Sequence, residues 1–291
     1  MGEVCAVAAG ESSPARFNPA YFEQLFRIED RHFWFHTRNR ILTAVVAQIT
    51  QSLPGGCKVL EIGCGNGNVL RHLHQACAGH TVVGMDAFEE GLRLARRRNC
   101  PRVVRGDAMH NPFRAQFDLV GLFDVLEHIP EDERLLEEIR GLLRPDGLLL
   151  ITVPARKSLW SYFDEASGHC RRYERNELRG KLQQAGYEVE YLTPYMLTLL
   201  PLMWCGRRAA SLTGRMRKAG SATDMAMREL RLTPGVNGLL RFCLAREIPR
   251  VVERRGLPFG TSLLTVARNS GAKAGGLKTA KIDRWPNRLA L

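Results

Sequence analysis

EIGCGNGN, residues 61–68, sets three glycines at alternate positions behind a glutamate. The apolar run KVL (58–60) precedes it, so a short buried strand ends in a tight turn. Glycine adopts backbone conformations closed to other residues, and it lets the main chain approach a ligand closely. Helical apolar spacing resumes at 69–77. The turn therefore opens a helix, whose N-terminus favours negative charge.

Outward from this turn the chain keeps a rhythm. TVVGMD (81–86), RVVRGD (102–107), FDLVGLFD (117–124) and LLLITVP (148–154) read as strands. Helical stretches at 89–98 and 131–143 lie among them, the second stopped by RPDG (144–147). A helix at 177–185, a strand at 188–193 and a last strand in TSLLTVARN (261–269) follow. Alternation of this kind predicts an α/β fold: a doubly wound, mostly parallel, seven-stranded Rossmann-like sheet with helices on both faces and a helical insert before the last strand. The expected division is an N-terminal helical lid (1–54), an α/β core (55–193), a basic and apolar helical insert (194–258), the last core strand (259–269) and a disordered tail (270–291). In the first of these, 21–30 and 37–51 have helical spacing, with the aromatic cluster HFWF (32–35) between them, either packing the helices or covering a pocket.

In an open parallel sheet the ligand lies beyond the carboxyl ends of the strands. Three strands end there in a glycine turn or a carboxylate: Gly63/Gly65/Gly67, Asp86 and Asp107. Asp86 is placed to accept from ribose hydroxyls, and Asp107 from an exocyclic amine such as that of adenine. A dinucleotide, a nucleotide phosphate and S-adenosylmethionine are the candidate ligands. The spacing GCGNG lacks the third glycine of GxGxxG, and no Gly-Lys-Ser/Thr follows, so the first two weaken.

VLEIGCGNGNVL, VVGMD, GDAMHNPF, FDVLEHI and LLRPDGLLLITVP occur in that order. This set resembles the class I S-adenosylmethionine-dependent methyltransferases, in the broad group of quinone and small-molecule enzymes. The resemblance covers roughly 55–195 and the last strand, and it implies S-adenosylmethionine as cofactor. It implies that Gly63, Gly65 and Gly67 line the methionine and ribose, with Glu61 supporting the turn. It also implies that Asp86 holds the ribose, that Asp107 and Ala108 meet the adenine, and that Phe123 lies beside the cofactor. An N-terminal arginine often reaches the cofactor carboxylate in this group, which points to Arg38, then Arg40.

Two stretches bear on the chemistry. In DVLEHI, Asp124, Glu127 and His128 stand at i, i+3 and i+4, so a helix would align them. Some quinone O-methyltransferases resemble this stretch and hold a divalent cation with similar residues; the alternative is that these side chains shape the pocket. In GHCRRY (168–173), His169 is a candidate general base, since imidazole changes charge near neutral pH. Arg171 and Arg172 are placed either to grip an anionic substrate or to pair with Asp164 or Glu165. His128 is the second candidate base. HNPF (110–113) reads as the loop before the fourth strand.

Net charge is +12, and it is localised. Residues 194–258 carry 12 Lys and Arg against 4 acids, and 269–291 carry 5 against 1, which accounts for the whole excess. Confinement to an insert and a tail suits contact with an anionic membrane surface better than a nucleic-acid groove. YMLTLLPLMWC (195–205) is too short to span a bilayer, so it either caps the active site or lies in a membrane interface, with Arg207, Arg208, Arg215, Arg217 and Lys218 toward headgroups. The eight cysteines form no CxxC pair, which argues against zinc and thioredoxin-like chemistry. The N-terminus has no long apolar core, so a cytoplasmic protein, free or peripheral on a membrane, is expected. The expected activity is methyl transfer to a small-molecule or lipid- or glycan-linked acceptor. The alternatives are an RNA or protein methyltransferase and a non-catalytic cofactor-binding subunit.

Overall fold

A computed structural model describes residues 21–114, 116–204, 230 and 233–271. Its strands are β1 (Lys58–Ile62), β2 (Thr81–Asp86), β3 (Val103–Arg105), β4 (Phe117–Phe123), β5 (Leu143–Pro154), β6 (Tyr187–Tyr195) and β7 (Ser262–Asn269). They form one sheet in the order β3-β2-β1-β4-β5-β7-β6, parallel except for β7, which runs antiparallel to both of its neighbours. The helices are α1 (Tyr21–Ile28), α2 (Phe33–Gln51), α3 (Leu70–Ala76), α4 (Glu89–Arg97), α5 (Asp132–Leu142), α6 (Tyr162–Ala166), α7 (Arg175–Gln184), α8 (Pro234–Ala245) and α9 (Ile248–Val252).

Both faces of the sheet are covered, which is why its central strands read as unbroken apolar runs. Successive strand residues point to opposite faces. Val59, Val82, Leu119 and Leu148 thus join one core with α2, α3 and α9, while Leu60, Val83, Val120 and Leu149 join the other with α5 and α7. Ile41, Leu42, Val45, Val46 and Ile49 of α2 are all buried. This helix is a layer of the core.

Three local features are set by the fold. HFWF does not link two helices: it begins α2, because the His32 imidazole caps the helix by accepting from the Trp34 N–H at 3.2 Å. RPDG follows the end of α5 as expected, but β5 starts earlier than expected, already at Leu143, with a register shift against β4 and Asp146 at φ 64°. Arg144 pairs there with Asp118 at 2.8 Å, and the Asn269 amide binds the Leu143 and Arg144 carbonyls at 3.3 and 3.1 Å. The stretch 155–174 is ordered by a capping box in which Ser161 and Asp164 satisfy the first turn of α6.

In the insert, Tyr195 closes β6, Met196 turns at φ 62°, and helix begins only at residue 199. Buried Glu247 caps that start, accepting from the N–H groups of Leu197 and Thr198 at 2.8 Å each. α8 and α9 then pack on α2. The basic residues Arg207, Arg208, Arg215, Arg217 and Lys218, and the tail beyond 271, lie outside the described residues. Among the described residues no helix is long and apolar enough to cross a membrane.

Candidate active site

Chain connections leave β1 and β4 toward opposite edges of the sheet. A cavity of about 490 Å³ opens at the carboxyl ends of these strands. The glycine turn is pinned at its base, where the N–H groups of Gly63 and Cys64 both donate to the Met85 carbonyl, at 2.8 and 3.0 Å. Gly63, Gly65 and Gly67 have φ of 74°, 50° and 76°, in the left-handed region where a side chain is strained. Gly63 and Gly65 border the cavity. Gly67 does not. A Cβ there would stand 2.9 Å from Ala95 Cβ and 3.2 Å from Cys100 Sγ, so this glycine lets the turn approach α4.

Glu61 was expected to support the turn. It is 2% exposed, borders the cavity, and its Oε2 has no hydrogen-bond partner. Burial pushes its carboxyl well above the usual range, against the nearby Arg38 charge. A buried acceptor without a donor, set beside two backbone-exposing glycines, fits the amino-acid end of S-adenosylmethionine. Arg38 also borders the cavity, but its partner is Asp124 at 2.6 Å, and its guanidinium stands 4.8 Å from the centre of the Trp34 ring. Arg40 is exposed and is not part of the cavity lining. Phe123 is buried and borders the cavity where β4 ends.

The other residues expected at the cofactor lie outside the cavity lining. Asp86 accepts from the Gly65 and Phe88 N–H groups at 2.7 and 2.9 Å. Asp107 accepts from the Met109 N–H at 2.9 Å and stands 3.1 Å from His110 Nδ1, closing its own turn. Neither Asp86, Asp107 nor Ala108 borders the cavity. The Phe22 ring of α1, which borders the cavity, lies against Gly65 and Gly91 and pairs with Phe88 at 5.9 Å. Arg98 holds the end of this N-terminal segment through a buried ion pair with Glu29 at 2.9 Å and a bond to the Phe26 carbonyl at 3.0 Å.

The helical face expected of DVLEHI does not form. Asp124 has φ 58° and turns toward Arg38, while Leu126–His128 is a single 3-10 turn. The third member of the cluster is instead His169, from the loop after α6. One ligand atom each from Glu127, His128 and His169 lies within 4.8 Å of the others. Glu127 is 1% exposed and its Oε2 has no hydrogen-bond partner. Its carboxyl is pushed well above the ordinary range by burial, then by the charge of Asp124. Burial, then the neighbouring His169, lowers His128 to about 3. His128 is therefore a neutral imidazole near pH 7 and a weak base.

His169 is held differently. Its Nδ1 stands 3.0 Å from Asp164, a carboxylate with no exposed side-chain surface. Arg172 binds the same oxygen at 2.6 Å. Burial opposes this charge, but the His169 hydrogen bond and the Arg172 charge outweigh it and keep Asp164 below its ordinary range. With Nδ1 engaged, Nε2 is left to the cavity that His169 lines. Arg172 is thus tied to Asp164 while also bordering the cavity, and Arg171 pairs with Asp132 at 2.6 Å. Asp164 was legible only as a partner for arginine. The signature SYFD (161–164), Ser followed three residues later by an acid, would have located its helix start.

Comparison with known proteins identifies the family. The model of the methyltransferase domain family matches residues 29–192. A phthiotriol/phenolphthiotriol dimycocerosates methyltransferase of Mycobacterium ulcerans is 37% identical over 33% of this chain and 37% of its own length. A ubiquinone biosynthesis O-methyltransferase of Actinobacillus pleuropneumoniae is 31% identical over 33% of this chain and 45% of its own. The matches to these two curated relatives thus span less than half of their lengths. Among solved structures, a candidate sarcosine dimethylglycine methyltransferase of Galdieria sulphuraria shares the fold, with TM-score 0.57 and 16% identity, over 87% of this chain and 98% of that one. The chain belongs to the S-adenosylmethionine-dependent methyltransferases.

Proposed function

We propose that the protein methylates a hydroxyl of an apolar, lipid- or glycan-linked acceptor, with His169 as general base. The observation that carries this reading is the buried Asp164–His169 pair at the wall of an aromatic cavity that adjoins the glycine turn. When bound, the cofactor supplies an electrophilic methyl group on a sulfonium. The protein has to hold the acceptor oxygen in line with it and remove the proton that the oxygen loses. Asp164 fixes the His169 tautomer with the proton on Nδ1, so Nε2 accepts. Phe33, Trp34, Phe163, Leu199 and Met203 line the cavity and exclude water around an apolar acceptor. Relatives named for quinone and lipid methylation support this acceptor class.

A second reading rests on the Glu127–His128–His169 cluster. A neutral His128, a Glu127 oxygen without a partner, and a His169 whose other nitrogen meets a carboxylate suit a divalent cation equally well. Incubation of the protein with cell extract and methyl-labelled cofactor separates the readings. Label is expected in organic-phase material, undiminished by a chelator. Loss of labelling with chelator and its return with Mg²⁺, Mn²⁺ or Zn²⁺ selects the metal reading. Label confined to RNA or protein refutes the acceptor proposed, and calorimetric cofactor binding without any labelling favours a binding subunit.

Cofactor affinity should also depend on pH through Asp86. Burial pushes its carboxyl up to about 6, against N–H groups of Phe88, Gly65 and Ala87 that favour the charge. The raised value means the folded protein holds this proton longer than the unfolded chain. The stabilisation it brings is present below the ordinary carboxylate range and is lost as pH rises through about 6. Asp86 does not border the cavity, so this reading requires α1 to shift on cofactor binding; ribose hydroxyls then donate to the ionised form, and cofactor affinity is expected to fall roughly tenfold per pH unit below about 6. Calorimetry at pH 5 to 8 checks this, with Asp86→Asn expected to flatten the profile.

A further inference from the structure

We infer that the outer face of α8, together with the helix that starts at residue 199, docks the protein on an anionic lipid bilayer beside the mouth of the cavity. Val236, Leu239 and Phe242 stand at i, i+3 and i+6 and are 51%, 62% and 60% exposed; Leu202 is 55% exposed. One helical face thus gives three large apolar side chains to solvent, while Leu244 of the same helix is fully buried against the core. An amphipathic helix normally turns such residues inward. Here the buried and the exposed apolar surfaces coexist on one short helix, which suits an element lying between a protein core and an acyl boundary.

The charge around this face selects the occupant. α8 contains no Asp, Glu or Lys, and its charged residue is Arg241, with Arg246 as its C-cap. Arg250 follows in α9. Arg40 and Arg241 both lie within electrostatic reach of His36. Among the described acids of the insert, Glu247 is buried on the backbone of Leu197 and Thr198, and exposed Glu253 is paired with Arg255. The Arg246 guanidinium sits 3.7 Å from the centre of the exposed Phe242 ring. A cation stacked on an exposed aromatic ring matches the boundary between acyl chains and phosphate headgroups. A second copy of the chain would set like arginine fringes against each other.

The face also adjoins the cavity. Leu202 and Met203 line it. The Asn237 side chain of α8 grips the chain at its rim, accepting from the Phe33 N–H at 2.8 Å and donating to the Arg31 carbonyl at 2.9 Å. Docking on α8 would therefore turn the apolar cavity toward the bilayer. The inference rests on the acceptor reading above only in making this the side of delivery.

Flotation of the full chain with phosphatidylcholine vesicles, with and without phosphatidylglycerol, tests it. Binding is expected to vesicles containing phosphatidylglycerol, to weaken with added salt, and to be far lower on phosphatidylcholine alone. Leu239→Ser with Phe242→Ser should lower partitioning at least roughly tenfold, and Arg241→Gln or Arg246→Gln about fivefold each. All four positions lie at or near the surface, so melting temperature and cofactor affinity should stay at the parent values. Absence of vesicle binding overturns the inference, as does binding that these substitutions leave unchanged. A concentration-dependent dimer that the double serine variant abolishes, without lipid binding, assigns the face to a second copy and also overturns it. Methylation of a detergent-dispersed acceptor by the double serine variant reports on the acceptor reading separately.

Discussion

His169→Gln should lower kcat by about 10²–10⁴-fold while leaving cofactor affinity within roughly twofold of the parent. The size follows from the role. A positioned base removes the proton as the oxygen–carbon bond forms, and an amide at the same place cannot take it. The fold should survive, because Asp164 keeps its 2.6 Å bond from Arg172 and a glutamine N–H can replace the one lost from Nδ1. Alanine would be the poorer choice, since it opens a void beside Phe163 and His128, whose rings stand 6.4 and 4.8 Å from that of His169. The measurement is single-turnover transfer to the acceptor found by labelling, as a function of pH. Loss of the acidic limb of the profile together with the rate marks a base. A rate within threefold of the parent would remove His169 from the chemistry, and a rate restored by excess divalent cation would assign it to metal binding. His128→Gln should have a smaller effect on the pH profile, because burial already keeps His128 neutral, at about 3.

Gly260→Ala should cost about 3 kcal/mol or more, and lower the melting temperature by roughly 6–12 °C. The glycine immediately precedes Thr261 and β7, and a Cβ there would overlap the Tyr195 carbonyl oxygen and stand 2.6 Å from the Tyr195 nitrogen. These are backbone atoms, so no rotamer relieves the contact. The end of β6 would have to separate from the start of β7, where the Thr261 N–H bonds the Tyr195 carbonyl at 3.1 Å. Thr261 and Ser262 line the cavity, so residual folded protein should also bind cofactor poorly. Gly141→Ala supplies the control with the opposite sign. A Cβ there meets nothing within 4 Å and the residue lies inside α5, so about 0.5–1 kcal/mol of stabilisation is expected. Thermal or denaturant unfolding checks both, and a Gly260→Ala protein as stable as the parent would refute the packing argument.

How far sequence alone reaches differs between the fold and the site. The alternation of short apolar runs with helical spacing set the strand order problem, and the glycine turn located the carboxyl edge where a ligand binds. Both signals are local: period-2 and period-3.6 patterns and positive-φ glycines are written in consecutive residues. The cofactor class was legible because the ordered motifs from VLEIGCGNGNVL to LLRPDGLLLITVP resemble the methyltransferase family. The seating of Phe22 against Gly65 and Gly91 was not legible, because it depends on where α1 comes to rest across residues distant in the chain.

The reading of DVLEHI failed on a single assumption, that local spacing implies a regular helix. Asp124 leaves the strand at φ 58°, and Arg38, 86 residues earlier, captures its carboxylate. Neither fact is encoded in the stretch itself. GHCRRY divided likewise. Spacing allowed Arg171 and Arg172 to reach a substrate or a neighbour, and the fold decided for Asp132 and Asp164. By itself, then, the sequence determined a seven-stranded α/β sheet, a glycine turn for S-adenosylmethionine and a basic, apolar insert. Only the tertiary structure decided which histidine has a buried carboxylate behind it, and which face of α8 stays in solvent. Local backbone preference is a property of neighbours in the chain, whereas a proton acceptor's orientation depends on burial and on charges that meet only after the chain has folded.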